Sequence, residues 1–488
     1  VAYVADEQKL IVFNGTTWLD YASLLALQNV PELGVNATAD STNKFTVASA
    51  AVLFDNIGAG VQAKLNKNAA ADTASLLYQT NFSGRAEIGL TGDDNFHFKV
   101  SPDGSTFYEA LTLNRNTGTQ LLKHVDVSSA TTIGATHLGR MVRGDATSGA
   151  FNIALPATAD ADDWVIVRKK DAGANKVTVR DNSGNDVAWL SAQYDEAMFA
   201  FWDGAWTPVR WNLAPLTQVF TTSGSYPKPP LARAVDACAI GAGGGGGSGR
   251  RGAAGTARFG GGGGGAGVIG LTVQRLPAAN VGATETVTVG VGGGGGAAAG
   301  SDSTDGNSGV AGGTSSFGSH VRGVGGSAGG AGTATSGNGG AAQSASNVIG
   351  TATAGGASSA TAAAGAGGNS LIGAGGAGGG ISAGNTSFAG GAGGNGSTAH
   401  NGLLTGGTGG DATGTAGTNG ADIANAFDYA GGSGGGGGGA NPAGASGAGG
   451  NGGPAGGGGG GGGASLNGNA SGAGGSGARG EVRVTTYF

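Results

Sequence analysis

The sequence predicts a mostly β protein with little α-helix. Antiparallel β modules of the β-sandwich or jelly-roll type are followed by a small β scaffold that carries a polyglycine-II helix bundle. Three observations support this. Short alternating segments separated by turn residues run through the first 212 residues. Of the 110 glycines, 17 precede Gly241 and the other 93 lie in residues 241–488. Strand-like segments stand on both sides of the glycine-rich tract.

Residues 1–124 are expected to form a β-rich shaft region. Lys9–Phe13, Asn14-Gly15 and Thr16–Leu19 predict a hairpin, because Asn-Gly readily adopts the positive φ angles of a tight turn. Later strand candidates, separated by turn clusters, are Ser75–Thr80, Ala86–Leu90, Asn95–Val100 and Thr106–Asn114. The chain begins with Val1 and not with Met, so we expect it to be part of a longer polypeptide.

Residues 125–212 are predicted to form a β-sandwich-like module. Seven short strands at regular spacing favour this architecture. The candidates are Leu138–Arg143, Phe151–Leu155, Trp164–Lys169, Lys176–Arg180, Asp186–Leu190, Ala197–Trp202 and Trp206–Trp211. The Trp residues are expected to pack in the core or on a sheet face, with a sugar-stacking platform as the alternative. The Pro-containing segment 213–230 is expected to be a linker.

Residues 231–488 are predicted to be one glycine-rich domain with strands at both ends. Ala232–Ile240 leads into the tract, and Glu481–Phe488 alternates after it. A terminal strand that closes a sheet would hold both ends of the tract, which argues against disorder. Between Gly323 and Ala478 there is no Lys or Arg, and the bundle is expected at about 323–478.

Polyglycine II explains how such a tract can be ordered. It has three residues per turn, a rise of about 3.1 Å and no hydrogen bonds within a helix. Its N–H and C=O groups point outward, so neighbouring helices can bond sideways where no side chain blocks them. Gly456–Gly463 is expected to be a central helix that others surround. Collagen is excluded, because glycine does not recur strictly at every third residue and proline is scarce.

Islands with less glycine mark the loops between these helices. Several hold apolar or aromatic residues that have no obvious core to enter, and exposed aromatic residues on loops are common anchors of recognition surfaces. An alternative is that they cap the bundle ends and pack on one another. The candidate receptor-binding residues are Leu371, Ile372, Phe388, His400, Leu403, Leu404, Phe427 and Tyr429.

Charge and motifs exclude several function classes. The glycine-rich part has seven acidic residues and seven Arg, so the net charge of −6 resides in residues 1–240, and no nucleic-acid partner is expected. No long apolar run predicts membrane insertion. Cys238 is expected to be a buried thiol on a strand. Asp302 and Asp305 depart from known Ca²⁺-loop patterns, and the five His are scattered.

No catalytic residue, metal or cofactor is therefore expected, and the chain is not predicted to be an enzyme. GxGxxG matches follow no βαβ pattern. A polysaccharide depolymerase needs paired carboxylates, and the run at Asp160, Asp162 and Asp163 fits a solvated loop better.

Several segments resemble known families. Val219–Tyr226, Gly241–Gly247, Glu285–Gly296, Thr314–Gly318 and Gly477–Thr485 are similar to the glycine-rich domain of phage tail-fibre proteins. The tract between them resembles the polyglycine-II sandwich of tail-tip adhesins, whose distal loops contact host receptors. The N-terminal half resembles a family from alphaproteobacterial prophages and gene-transfer agents, through Val1–Trp18, Asn56–Lys67, Ser83–Leu90 and Asp94–Leu113.

The resemblance implies a homotrimeric receptor-binding fibre at the tail tip of a virion, outside the cell. Its partners would be other tail or baseplate proteins and a polysaccharide or outer-membrane protein of the bacterial host. The alternatives are a passive fibre that spaces a separate adhesin, a tail-spike glycanase and an ice-binding bundle.

Overall fold

The computed structural model describes residues 2–4, 9–20, 30–344, 353–398, 402–423 and 429–488. The chain forms two compact units, Val1–Leu121 and Leu122–Phe488. Strands are the main regular secondary structure of the described residues, in which the one helical element is a 3-10 turn at Ala278–Asn280. The predicted mostly β fold with little helix is confirmed.

The first unit contains three separate sheets. The longest is an antiparallel meander of β6 to β9, and a second meander contains the Asn14-Gly15 hairpin, with Gly15 at φ 98°. Two short parallel strands form the third sheet. The strands are β1 (Ala2–Val4), β2 (Lys9–Phe13), β3 (Trp18–Asp20), β4 (Leu33–Val35), β5 (Phe45–Val47), β6 (Thr73–Thr80), β7 (Ser83–Thr91), β8 (Phe96–Val100) and β9 (Tyr108–Leu113).

A cluster of polar side chains surrounds His97 in the longer meander. His97 is 5% exposed, its Nε2 lies 2.7 Å from Asp93 Oδ1, and its Nδ1 contacts the carboxylate of Glu109. Thr112 donates its hydroxyl to Glu109 at 2.6 Å. Among the described residues before Ile133, no apolar side chain is buried. The described residues of the first unit therefore form no hydrophobic core of their own.

The module that follows has two sheets, and the chain passes between them. One sheet has the order β10 (His124–Val127), β12 (Arg140–Gly144), β14 (Trp164–Lys169), β17 (Glu196–Trp202) and β18 (Ala205–Asn212). The other has the order β11 (Thr131–Thr132), β13 (Phe151–Ala154), β15 (Val177–Arg180) and β16 (Asp186–Leu190). All seven predicted strands are present as β12 to β18.

The pairing within this module is partly parallel. β10, β12 and β14 pair in parallel, as do β11, β13 and β15, because the chain crosses to the opposite sheet after each strand from β10 to β14. The later strands pair antiparallel. Val142, Ile153, Val165 and Phe199 are fully buried between the sheets, and Trp206 and Trp211 pack against this core. The expected core role of these two Trp residues is confirmed.

Segment 213–230 is not a linker. It contributes β19 (Leu216–Phe220) and β20 (Gly224–Pro227), which pair with β31 (Glu481–Tyr487) and β25 (Thr284–Thr288). Its prolines suggested a break, but Pro215 precedes β19 and Pro227 ends β20. At strand ends a proline removes no hydrogen bond from the middle of the ladder.

Two sheets form the scaffold of the glycine-rich domain. In the first, β31 lies between β19 and β21 (Ala234–Ile240), and β21 also pairs with β23 (Ile269–Leu271) and β24 (Leu276–Pro277). The second contains β20, β25, β26 (Ser315–Phe317) and β27 (Val321–Gly323). The register runs from Ala234 opposite Tyr487 to Ile240 opposite Glu481. Strands at both ends thus hold the tract, as predicted.

Between the scaffold strands, the chain forms segments that we call threads, each of which crosses the bundle once. In thread 241–251, Gly243, Gly246 and Gly249 donate their N–H groups to Ala478, Gly475 and Gly472 at 2.8–3.0 Å. The residues between them donate to two other threads, which contain Gly265 and Val310. Every third residue therefore donates its N–H group to the same neighbouring thread. This is the period expected of polyglycine II, whose dihedral angles stay a prediction.

The lattice begins at Gly241, earlier than the expected range of about 323–478. The glycine runs Gly243–Gly247 and Gly292–Gly296 carry no side chains, so their backbones approach the neighbouring threads closely enough to form hydrogen bonds. Four short strands belong to the turns of the bundle, namely β22 (Arg251–Gly252), β28 (Gly396–Thr398), β29 (Gly402–Leu404) and β30 (Ser465–Leu466).

Gly456–Gly463 is the central thread, as predicted. It donates hydrogen bonds to Gly244, Gly376 and Gly450 and accepts them from Gly261, Gly438 and Gly475, among others. Six threads thus surround it: 241–251, 259–268, 373–381, 430–441, 446–454 and 470–480. Every residue of the central thread is buried.

Glycine is required there by space and not by backbone angles. Apart from Gly456, no residue of this thread lies in the left-handed region. A Cβ added at Gly460, Gly461 or Gly462 would lie only 2.0–2.1 Å from a carbonyl oxygen of a neighbouring thread. The Cα–H groups face those oxygens and form weak hydrogen bonds in addition to the N–H bonds.

Candidate functional site

The turns of the bundle lie at two opposite ends. Threads joined by a turn run antiparallel, as the bonds of Gly244 to Gly265 and Gly247 to Gly262 show. Successive turns therefore alternate between a scaffold end, where threads connect to the strands, and a far end. At the far end, turn residues bond to one another: Ser303 to Asn467 and Arg258 to Ser382 are two such contacts.

The candidate receptor-binding residues do not form one surface. Leu371, Ile372, Leu403, Leu404 and Tyr429 lie in scaffold-end turns, whereas Phe388 follows a far-end turn. His400 and Phe427 lie outside the described residues. Leu403 is 66% exposed and Tyr429 48%, whereas Leu371, Leu404 and Phe388 are half-buried.

Ile372 corrects the expectation that these residues are exposed. It is 3% exposed and packs with Cys238, Ile240, Ile269 and Ala455 where the threads meet the scaffold. An apolar island at the scaffold end can enter a core, which the glycine-rich threads alone do not provide. The alternative, that the islands cap the bundle ends and pack on one another, holds for Ile372 only in its first part, because Ile372 packs mainly on scaffold residues.

Tyr429 borders a groove of the glycine-rich domain. It has a volume of about 490 Å³ and lies over the outer face of the first scaffold sheet. Thr217, Thr485 and Asp236 form a row across β19, β31 and β21 on its floor, since Thr485 is opposite both of the others. Thr217 and Thr485 share a hydroxyl hydrogen bond of 2.9 Å. The floor thus offers hydroxyl groups and one carboxylate.

Arg275 contacts both an acidic residue and an aromatic residue of the groove lining. Its Nε lies 3.4 Å from Asp236 Oδ2, and its guanidinium is 3.7 Å from the centroid of the Tyr487 ring. Burial, followed by the nearby Asp236, raises the pKa of both Tyr429 and Tyr487. Both phenols therefore remain protonated hydrogen-bond donors at neutral pH.

The base of the groove contains no reactive thiol. Cys238 on β21 is 2% exposed, and burial raises its pKa to about 12. The predicted buried thiol on a strand is confirmed. Because the thiolate is the nucleophilic form, Cys238 is inert at neutral pH. Arg483 next to it donates to Glu481 at 2.7 Å.

The far end is polar and is fixed by ion pairs. Arg251 lies 2.6 Å from Asp302, Arg250 contacts Asp305, and the N–H of Gly468 donates to Asp302 at 2.8 Å. Arg258 is fully buried beneath these turns and donates to the carbonyl of Ser382 at 2.9 Å. Asp302 and Asp305, considered as Ca²⁺ ligands, are thus paired with arginines. Among the described residues, no cluster of three or more His, Cys, Asp or Glu is suited to a metal ion.

The carboxylate run before β14 belongs to a turn. Asp163 accepts a hydrogen bond from the N–H of Asp160 at 2.9 Å, and Asp160 and Asp162 are exposed. This agrees with the expected solvated loop. In the part of the chain that the structure describes, no helix is long and apolar enough to cross a bilayer.

Comparison with protein-family models and with curated proteins gives no match for this sequence.

The Tyr429 groove contains residues that the loop-based prediction missed, chiefly Asp236, Arg275 and Tyr487. One signal was present in the sequence. Alternation along β31 places Arg483, Thr485 and Tyr487 on the same face, opposite Val482 and Val484.

Proposed function

We propose that the chain is a virion tail fibre and receptor-binding protein, which attaches a tailed phage or a gene-transfer-agent-like particle to a bacterial surface. The observation that carries this proposal is the position of the Tyr429 groove. It borders a lattice of backbone hydrogen bonds that joins the described threads of the glycine-rich domain. A binding site supported by such a lattice loses little conformational entropy when a ligand binds.

The chemistry of the groove suits a polysaccharide or an outer-membrane protein as the receptor. Tyr429 and Tyr487 supply rigid aromatic surface with polar tips, and such residues are enriched at recognition sites. Asp236 and Arg275 add a fixed acceptor and a fixed donor. The contact would thus lie at the scaffold end of the bundle as well as on the distal loops that the resemblance implies.

The first unit supports assembly as a homotrimer. It buries no apolar side chain among its described residues, yet Leu53, Ile57 and Phe82 are at least 82% exposed. Large exposed apolar surface usually marks an interface. Because the described residues of this unit form no core, we infer that its exposed apolar side chains pack against further copies of the same chain.

A depolymerase is not favoured by the groove. Cleavage of a glycosidic bond uses two carboxyl groups. Asp236 is the one acidic residue among the described residues that line the groove, and Arg275 pairs with it.

Competition for adsorption tests the proposed function. Purified chain, added in excess, should occupy receptors on susceptible cells and reduce adsorption of the particle. The same amount of heat-denatured chain is the control. Undiminished adsorption at saturating protein would contradict the proposal.

A further inference from the structure

A second, cationic groove lies on the two-sheet module of residues 122–213. It has a volume of about 280 Å³ on the outer face of the sheet that contains β10, β12 and β14. His124, Arg143, Arg168, Lys170 and Tyr194 line it, and Leu122 and Met141 add apolar wall. None of the described lining residues is acidic.

Two of its arginines are direct neighbours in the sheet. Arg143 on β12 is in register with Arg168 on the parallel strand β14. Neighbouring strands are only about 4.8 Å apart, and like charges opposite one another destabilise a sheet. Such an arrangement is stabilised when an anion binds to both cations.

The protein's own carboxylates neutralise only part of this charge. Asp126 accepts hydrogen bonds from Arg143 Nε at 2.7 Å, from Arg143 Nη2 at 2.9 Å and from Lys170 Nζ at 3.1 Å. Lys170 is also 3.8 Å from Asp145. These bonds, with those from Arg143 as the largest cause, hold the pKa of Asp126 below its usual value. Asp126 is thus ionised and shared between two cations.

Arg168 is held in place without a carboxylate partner among the described residues. Its guanidinium lies 4.8 Å from the centroid of the Tyr194 ring. Its Nε is buried and has no hydrogen-bond partner within the described part of the chain. Glu196 is opposite Arg168 in the sheet, but it forms its ion pair with Arg210 at 3.6 Å. The guanidinium of Arg168 thus has no carboxylate within the described part of the chain to neutralise it, and an anion in the groove would supply the counter-charge.

We propose that this groove binds one charged sugar unit through its phosphate or carboxylate group. Arg168 and Lys170 donate to the anion, and Arg143 adds positive charge. The planar guanidinium matches both oxyanions geometrically. Leu122, Met141 and the Tyr194 ring contact the carbon side of the sugar. The volume is at the lower limit of ligand pockets, about 300 Å³, which limits the ligand to a monosaccharide-sized unit.

Calorimetric titration of the full-length chain tests this site without any particle or host cell, so it is independent of the proposed function. The probes are glucose 1-phosphate, glucuronate, inorganic phosphate and glucose, each at low and at high salt. We expect at least one charged sugar to bind more tightly than inorganic phosphate, and glucose not to bind. Binding should weaken with salt, because exposed charges are screened.

Variants assign the binding to the groove. Arg168→Gln should weaken binding by about tenfold or more, the loss expected for a charge-assisted hydrogen bond. Lys170→Gln should act in the same direction, which covers the case that Arg168→Gln fails to fold. Arg180→Gln is the matched control: it lies on the other sheet, pairs with Asp186 at 2.8 Å and removes the same charge.

Three results would overturn the assignment. The first is that neither charged sugar binds when it is present at about 10 mM, a concentration at which a Kd of about 1 mM would give measurable binding. The second is inorganic phosphate binding as tightly as glucose 1-phosphate, because the apolar wall would then contribute nothing. The third is an equal loss of binding in Arg180→Gln and Arg168→Gln, which would indicate unspecific charge attraction.

Discussion

The carbonyl oxygen of Gly436 lies 2.1 Å from the point that a Cβ atom on Gly460 would occupy. The N–H of Gly460 meanwhile donates to Gly450 at 2.8 Å. The two neighbours belong to different threads, so a single residue is fixed from two sides by main chain. The close approach that excludes side chains is the same approach that allows the hydrogen bonds.

Gly460→Ala should destabilise the glycine-rich domain. The methyl group would require movement of backbone that neighbouring threads also hold, and overpacking of this kind costs about 1–3 kcal/mol. Gly300→Ala is the control, because nothing lies within 4 Å of its added Cβ. Thermal unfolding should show a lower midpoint for Gly460→Ala only. Equal thermal midpoints in both variants would mean that the neighbouring threads move aside at little cost in free energy.

The contact between Asp93 and His97 in the first unit should make its stability pH-dependent. The hydrogen bond from His97, the largest cause, lowers the pKa of Asp93 to about 2. An unfolded Asp has a pKa of about 3.9. The stabilisation is therefore complete above about pH 4 and is lost as the pH falls towards about 2.

His97→Gln should flatten this dependence. The variant should be less stable than the wild type at pH 5, and the difference should shrink towards pH 2, as thermal midpoints across this range would show. His137→Gln is the control, since its Nδ1 contacts the N–H of Gly134 and not a carboxylate. If the thermal midpoint of His97→Gln depends on pH as steeply as that of the wild type, the pH dependence comes from other groups.

The exposed apolar residues of the first unit should mediate assembly. Light scattering of the wild type should give three times the chain mass of 46.1 kDa. Ile57→Ser combined with Phe82→Ser should shift the mass towards the monomer, because each replaces apolar surface in the proposed interface. Leu403→Ser, at a similarly exposed apolar residue in the other unit, should leave the mass unchanged. A monomeric wild type would remove this part of the account.

The Tyr429 groove should be needed for adsorption. Particles with Tyr429→Ala or Asp236→Asn should assemble normally but adsorb at least about tenfold less, as expected when a central contact residue is lost. Val310→Ala, an exposed residue of the same domain outside the groove lining, is the control. Normal adsorption of both groove variants would place the receptor contact elsewhere.

Much of this fold was accessible from local sequence. Alternation identified β12 to β18, and the glycine run identified Gly456–Gly463 as the central thread, because both depend on residues close in sequence. The parallel pairing of β10, β12 and β14 was not accessible. It depends on the chain crossing to a second sheet between strands, which alternation within a strand does not reveal.

The candidate site was harder to predict for a related reason. Whether a turn lies at the scaffold end or the far end depends on the direction of every preceding thread. Ile372 and Phe388 both follow glycine-rich segments, yet they lie near opposite ends of the bundle. The groove likewise combines Thr217, Arg275 and Tyr429 from distant segments, which only the assembled scaffold brings together.

Hydrogen–deuterium exchange of residues 456–463 tests the central claim most directly. Their N–H groups are buried and donate to surrounding threads, so we expect them to be among the slowest-exchanging amides of the chain. The exposed far-end turn at residues 253–255 should exchange much faster and serves as an internal reference. Rapid exchange throughout 456–463 under native conditions would contradict the hydrogen-bonded lattice.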